Sequence, residues 1–533
     1  MSIKPFILML CATSGVKAAV AQSVDSAQEI FRSGIMPARV VDFAARPWLD
    51  SDNPAAIGLV DLPDYGITQT GANRLSGDLH RAQQSGSVTA FGFSSDSYCS
   101  LPKIGLYGRF GFTQQWHRNR RWADNFDPYN GNPYLAGSDL AGNYSQQMFD
   151  FSVKAASQCL WQRVWFGIGF DYTVGDLSRS DDPRSRVQLA DYAVRPGLAV
   201  AISSHGKLGI SGVYRHRKEK MLKPVAKAEN IDKYAYYSMK GLGEYSTSSI
   251  LFFSRRYTAD YLGAQMQYEY SSERFAMLAT AQATLRDEDV IGERKEQPGD
   301  YASNEYGISL NGVLHDSRSL QRFRLAATMS RGRATEYMQE LITQTNAQGM
   351  IDTYWQTMLQ AVRYRNDSFS IDAAWRYYRL LPDNGYAWFV GADCELSQMG
   401  GKYILPRSSM RIGSAEIVIS GGTVICRRQR WSLNLNLEIG GRANLSGSLT
   451  SNPELAAEGK TTVQQQIVEP DFDILTSNSL RLGGSLDCIF TLARKTDCFV
   501  TIYARQYRRI ADPVANRGIA GIALGILTDF KRR

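Results

Sequence analysis

Few side chains of this chain have the types and spacing for chemistry. Its five histidines, His80, His117, His205, His216 and His315, are scattered, and no Cys-x-x-Cys accompanies them, so no metal site is assigned. His117 and His216 fall near the ends of alternating segments, with Asp124, Asp127 and Asp176 in the neighbouring connections. An Asp–His pair or Ser–His dyad there could serve as a hydrolytic base. A lone histidine at a strand end is far more often a solvated side chain, so no catalytic residue and no cofactor are assigned. Gly241-Leu242-Gly243 and Gly518-Ile519-Ala520-Gly521 would cradle phosphate only after a strand and before a helix, and neither has that context. Cys99, Cys159, Cys394, Cys426, Cys488 and Cys498 fall near short turns. Cys488 and Cys498 flank one tight turn on one face and are the preferred disulfide pair. Cys99–Cys159 and Cys394–Cys426 are further pairings, and packed free thiols are the alternative. The basic run Arg215-His216-Arg217-Lys218-Glu219-Lys220 could hold lipopolysaccharide phosphates, or be the solvated base of a loop.

The elements that would carry these residues are strands. In Val164–Val174 every even position is apolar, and the odd ones are mostly Gly, Asp or Thr. A strand places residues i and i+2 on one face, whereas a helix would scatter them. The same alternation runs through Trp431–Gly440, Phe369–Tyr378, Leu480–Phe490 and Leu262–Tyr270, and through further segments near 88–98, 103–116, 147–157, 188–202, 207–217, 274–286, 304–315, 320–332, 352–365, 386–392, 403–425, 498–508 and 517–530. About eighteen strands result, each of ~10–14 residues, against a soluble mode of ~5–6. Strands crossing a membrane at a tilt need ~9–11 residues.

Composition narrows the class. The 533 residues are 44% hydrophobic and 21% charged, which excludes global disorder. Mean hydropathy is −0.29, and no apolar run approaches the ~18 residues of a spanning helix. The start is an address: Lys4, the apolar Phe6–Leu10, then Ala19-Val20-Ala21 before Gln22 form a secretory signal peptide. Cys11 follows Leu10 where a lipoprotein signal needs a small residue, so lipidation is not expected. Removing Lys4 and Lys17 takes the formal charge from +8 to +6, and no basic cluster joins a nucleic-acid motif.

Secreted, long and alternating strands without domain linkers indicate an all-β fold. The expected architecture is a transmembrane antiparallel up-and-down β-barrel in the cell outer membrane, with short periplasmic turns and long extracellular loops. The short turns are expected at 99–102, 158–162, 203–206, 271–273, 315–320, 426–430 and 493–497, and the long loops at 117–146, 177–187, 218–257, 287–303, 333–351 and 444–476. Trp116, Trp161, Tyr172, Tyr214, Tyr268, Tyr270, Trp355, Tyr377, Trp388 and Trp431 lie at strand ends, where interfacial girdles want amphipathic rings. The polar face carries Arg109, Asp171, Arg195, Arg324, Arg376, Glu438, Arg481 and Asp487, the candidate lumen lining.

Two stretches carry a resemblance. One runs from Gly142-Asn143-Tyr144 to Phe149-Asp150, through Trp165–Tyr172, Val174–Ser178 and Asp181–Arg186, to Asp191-Tyr192. The other joins Gly209–Gly212 to Arg217–Lys220. Together they resemble an uncharacterised family of Gram-negative outer-membrane β-barrels, a domain of unknown function. That resemblance implies location and fold, and no substrate. Asn53-Pro54-Ala55-Ala56-Ile57-Gly58-Leu59 is similar to the N-terminal signature of long-chain fatty-acid transport barrels. There it implies a segment that plugs the barrel and opens a lateral route.

The expected organisation is a signal peptide at 1–21, an N-terminal periplasmic or plug segment at 22–62 and a barrel over 63–533. The preferred function is a channel or transporter for an unidentified solute. The alternative is a non-enzymatic partner barrel in a surface assembly, receptor or secretion complex. Trp116, Trp122, Phe126, Tyr129 and Tyr134 would be its contact with an envelope protein. Outer-membrane lipid, lipopolysaccharide and the barrel-assembly machinery are the other expected partners; the strand ending in Phe530 resembles the signal that machinery reads.

Overall fold

The computed structural model describes residues 43–530 apart from 228, 230–232, 346–350, 383–384, 453–462 and 494. The expected signal peptide, residues 22–42 and Lys531-Arg532-Arg533 lie outside the described residues.

The strands in chain order are β1 (Tyr65–Ser76), β2 (Ser87–Ser100), β3 (Ile104–Arg120), β4 (Ala136–Gly137), β5 (Gly142–Ser157), β6 (Val164–Arg179), β7 (Arg186–Ala201), β8 (Gly206–Met221), β9 (Ala235–Gly241), β10 (Glu244–Ser249), β11 (Arg255–Ser271), β12 (Phe275–Gly292), β13 (Gly299–His315), β14 (Ser319–Thr345), β15 (Ile351–Leu380), β16 (Tyr386–Tyr403), β17 (Ser408–Arg427), β18 (Trp431–Thr450), β19 (Ser479–Ala493), β20 (Thr496–Arg509) and β21 (Asn516–Asp529). Eighteen of them form one sheet of antiparallel neighbours, and β1 pairs with both β2 and β21, so the sheet closes on itself. Closure removes the edges that would leave backbone groups unpaired in hydrocarbon. The remaining three, β4, β9 and β10, make a small separate sheet.

Alternation sorts the two faces. Phe166, Ile168, Phe170 and Tyr172 of β6 are exposed on the outer wall, and so are Leu437 and Ile439 of β18. The intervening positions turn inward, as with buried Asn434 and Asn436. A closed wall with this apolar exterior is a barrel of the cell outer membrane.

The expected count of eighteen is met, but its membership changes. β1 is not among the expected segments, because its outward residues Thr68, Thr70, Ala72 and Arg74 give no apolar signal. The segments 352–365 and 369–378 are one strand, β15, of 30 residues. The expected 403–425 strand begins later, at Ser408, because β16 continues to Tyr403.

Turns at one end are short throughout, from 101–103 to 428–430. At the other end only 121–141, 222–254 and 451–478 are long. The expected loops at 287–303 and 333–351 are largely strand: β12 and β13 are joined by 293–298, and β14 and β15 continue as a paired ribbon to Thr345 and Ile351.

Candidate functional site

Residues 43–62 lie inside the barrel at its short-turn end. Phe43, Ile57, Val60 and Leu62 pack with inward Tyr65, Tyr98, Tyr107, Phe499 and Leu527. Ala44 packs with Val313, Leu320, Tyr378 and Phe389, and Trp48 with Ala199 and Leu278. Only a segment within the bore reaches strands all round the wall.

Asn53 is its anchor. Its side-chain amide donates to the carbonyls of Leu198 at 3.1 Å and Ile210 at 3.3 Å, and to Oε1 of Gln267 at 3.2 Å; its Oδ1 accepts from the Ala55 N–H at 3.0 Å. The wall makes room with glycine. A Cβ on Gly167 would lie 2.3 Å from the Ala55 nitrogen, one on Gly197 2.1 Å from Asn53 Oδ1, and one on Gly209 2.6 Å from both Gln267 and Trp48. Asn53-Pro54-Ala55 is therefore a docked element rather than a plain turn. Beside it the β7–β8 ladder skips Arg195 and Pro196 and resumes in register at Gly197 and Ser211. Pro196 has no N–H to give to that ladder. Asp50 is ion-paired with Arg322 of β14. Asp52 accepts from Gln265 at 3.4 Å. Burial pushes the Asp52 carboxyl above its ordinary pKa, partly offset by Arg195 and Lys154.

The eight lumen candidates all sit on inward faces, and seven are engaged. Arg109 pairs with Asp96 at 3.4 Å, Asp171 pairs with Arg195, and Arg376 with Asp393 at 2.6 Å. Arg481 bridges Glu416 at 3.3 Å and Glu438 at 2.8 Å, and Glu438 also holds Arg505. Asp487 accepts from Thr501 at 2.5 Å and Asn436 at 2.8 Å. Arg324 is exposed and makes no ion pair among the described residues. Sequence reasoning missed Asp50, Asp52, Arg322 and Gln267. Gln267 and Arg322 alternate inward as the other candidates do, so the period could have found them; nothing in the pattern marks the partners in 43–62.

The long loops fold inward at the opposite end. β4 of loop 121–141 pairs with β9. Fully buried Asp124 accepts hydrogen bonds from Tyr144 and Tyr236. Burial raises its carboxyl pKa, partly offset by Arg179. Asn366 of β15 donates to the Gly131 carbonyl at 3.0 Å, so the loop crosses the bore from β3 to the far wall. Arg81 pairs with Asp471 of α1 (Glu469–Leu475) at 2.8 Å, and Lys240 with Glu336 at 2.6 Å. Val463 and Ile467 pack with Trp122, Leu135 and Met239.

This geometry corrects the expected contact loop. Trp122 is 0% exposed and Tyr134 4%. Phe126 is half-buried, and Tyr129 lies under the Arg81 guanidinium 3.5 Å from its ring centroid. Trp116 is exposed on the outer wall of β3. Trp122, Phe126, Tyr129 and Tyr134 hold the loop inside the mouth, and Trp116 on the outer wall shares no face with them.

The histidines separate. His216 Nδ1 lies 2.8 Å from Asp260, on the outer face, and not near Asp124, Asp127 or Asp176. His117 Nδ1 lies 3.0 Å from the hydroxyl of buried Ser85. Among the described residues no His/Cys/Asp/Glu group could hold a metal.

All six described cysteines are free, which corrects the expected Cys488–Cys498 bond. Cys488 stands opposite Val500, and Cys498 opposite Phe490. Such a diagonal separates Cβ atoms by about 7 Å, beyond the ~4 Å of a disulfide.

Solved barrels similar to the chain include the copper transporter OprC, at 9% identity over 87% of this chain and 81% of that one, with a TM-score of 0.38. The siderophore receptor PiuA from Acinetobacter baumannii is 7% identical over 86% of this chain and 81% of its own, with a TM-score of 0.33. The CymD monoaromatic hydrocarbon channel is 9% identical over 92% and 94%, with a TM-score of 0.30. Likeness this partial brings none of their solutes to this chain. No curated protein matches it. A family of unknown function, DUF6850, matches residues 54–527, from the proline seated on the wall to the last strand, and the chain belongs to that family.

Proposed function

We propose that this barrel is a gated channel or transporter for a solute, closed at rest by the N-terminal segment at its inner mouth and by the folded loops at its outer one. The observation that carries the reading is the seat of Asn53. A segment fixed by hydrogen bonds, one ion pair and the apolar packing of Phe43, Trp48, Ile57 and Leu62, over a glycine floor, makes no strand pairing with the wall among the described residues, so it can occlude the bore and still leave it. The likeness of Asn53-Pro54-Ala55 to the signature of fatty-acid transport barrels supports it. So does the gap at Pro196, which leaves the wall least tightly laced where the segment touches it. The burial of Ser85 beside His117 favours a packing role for that pair over an enzymatic one.

Ion conductance of the full chain in planar bilayers tests this. The reading expects a chain that is mostly closed, and one in which Asp50→Asn or Arg322→Gln raises the open fraction. A large steady conductance in the unaltered chain, or no response to either substitution, overturns it.

One observation favours the partner reading as a second. The β14–β15 ribbon exposes Met338, Leu341, Ile351, Tyr354, Met358 and Leu359 beyond the wall. An envelope protein binding there would be lost on shortening the ribbon while the barrel stayed folded.

A further inference from the structure

We infer that the outer surface of β14–β17 binds the phosphate groups of an outer-leaflet lipid, lipopolysaccharide, where the apolar band of the wall ends. The register builds the site. Arg333 of β14 stands directly opposite Arg365 of β15, and Arg365 directly opposite Lys402 of β16. One outward rung nearer the membrane, Arg331 faces Asp367, and Asp367 and Arg411 both face Gly400.

All six charged side chains are exposed, and their neighbours fix the direction. Gly332, Ala334, Gly401 and Tyr403 are buried, and Asn366 reaches inward to Gly131 and Tyr301. Arg331, Arg333, Arg365, Lys402 and Arg411 form no ion pair among the described residues. Like charges directly opposite in a ladder, with Cβ atoms about 5 Å apart, destabilise the pairing. Five cations around the single carboxylate of Asp367 therefore call for an anion. Guanidinium groups meet phosphate oxygens in bidentate fashion.

Depth selects the source of that phosphate. Towards the membrane the next outward rungs are Met329–Phe369–Gln398, Ala327–Ile371–Leu396 and Leu325–Ala373–Cys394. The inner girdle follows at Tyr377, tilted against Trp388 with ring centroids 5.4 Å apart. From that girdle to the Arg331–Asp367 rung is about ten residues, ~33 Å along the strand and ~25 Å across the bilayer at a ~40° tilt. That is the height of a barrel's apolar band, ~25 Å. The cations thus begin where hydrocarbon gives way to headgroup phosphate.

The patch is local. Along the upper rung Arg333 faces Ala302 of β13, and the rung continues to Asp287 and Asp260. The run at 215–220 is divided between the faces: Arg215 and Arg217 turn inward to Asp191 and Glu219, leaving Lys218 and Lys220 outside.

The full chain, purified in detergent, is titrated with deep-rough lipopolysaccharide and with the same lipid after removal of its phosphates. The phosphorylated lipid is expected to bind at least about tenfold tighter, the effect of one charge-assisted contact. Arg333→Gln/Arg365→Gln/Lys402→Gln should abolish that preference, and Lys218→Gln/Lys220→Gln should keep it. Heat-modifiable migration on gels establishes that each variant is folded, and the lipid comparison on the unaltered chain needs no variant. Equal binding of the two lipids, a preference that survives the triple substitution, or displacement by inorganic phosphate in excess would each overturn the assignment.

Discussion

Replacing Asn53 with alanine should unlatch the inner segment, and the structure sets the size of the effect. The amide spreads its two N–H donors over the carbonyls of Leu198 and Ile210 and the side chain of Gln267, and its oxygen accepts from Ala55. Two donors and one acceptor, at about 1 kcal/mol net each, amount to ~2–3 kcal/mol favouring the seated state. Losing them should shift the seated-to-released equilibrium by roughly 30- to 150-fold. The wall strands keep their own ladder hydrogen bonds, so the barrel itself should remain folded and heat-modifiable. Single-channel recording in planar bilayers reads the shift as a rise in open probability. Gly197→Ala attacks the same seat from the other side, because its new Cβ would meet Asn53 Oδ1 at 2.1 Å. If both variants fold and both stay as closed as the parent chain, the reasoning that Asn53 latches the segment is refuted.

Other predictions rest on separate contacts. Asp52 and Asp124 both have carboxyl pKa values raised by burial, so the closed state binds protons more tightly than an opened, hydrated one. The resulting advantage of the closed state is complete below the ordinary carboxyl value of about 4 and fades as pH rises through the raised values. Channel openings should therefore become rarer as pH falls towards 4, and a profile of opposite sign contradicts the burial argument. Trp122→Ala removes a fully buried ring from the outer mouth, worth ~3–5 kcal/mol. Proteolysis of loop 121–141 on intact cells should accelerate while the strands remain protected. Because the cysteines are free, migration of the unfolded chain should be identical with and without reductant.

Much of the wall was legible because lipid on one side and water on the other impose a period of two. Where one influence is missing, the pattern fails. β1 turns threonine, alanine and arginine outward, so its period is silent. β15 contains Arg363, Arg365, Asn366, Asp367 and Ser368 between two better-patterned stretches. That polar interlude suggests a loop, but it is the level at which a continuous strand leaves the hydrocarbon. The inward candidates followed from alternation alone, yet their partners did not: Arg109 meets Asp96 and Arg376 meets Asp393 across strands, and Arg322, which was not among the candidates, meets Asp50, 272 positions earlier. Loop direction has no period at all. The aromatic residues of 121–141 read equally well as a contact surface or as a buried lid, and tertiary packing decided for the lid.

The most direct test of a lipid-covered barrel closed from within is a nitroxide scan of positions 206–214 of β8 in bilayers, in a background without native cysteines. Labels at 208, 210 and 214 should collide with membrane-dissolved oxygen. A label at 211, beside the seat of the inner segment, should be shielded from both oxygen and an aqueous reagent; Gly209 is left unlabelled because any side chain there would meet Trp48 and Gln267. Accessibility to the aqueous reagent at 208, 210 and 214 would contradict the barrel, and free access at 211 would contradict its closure.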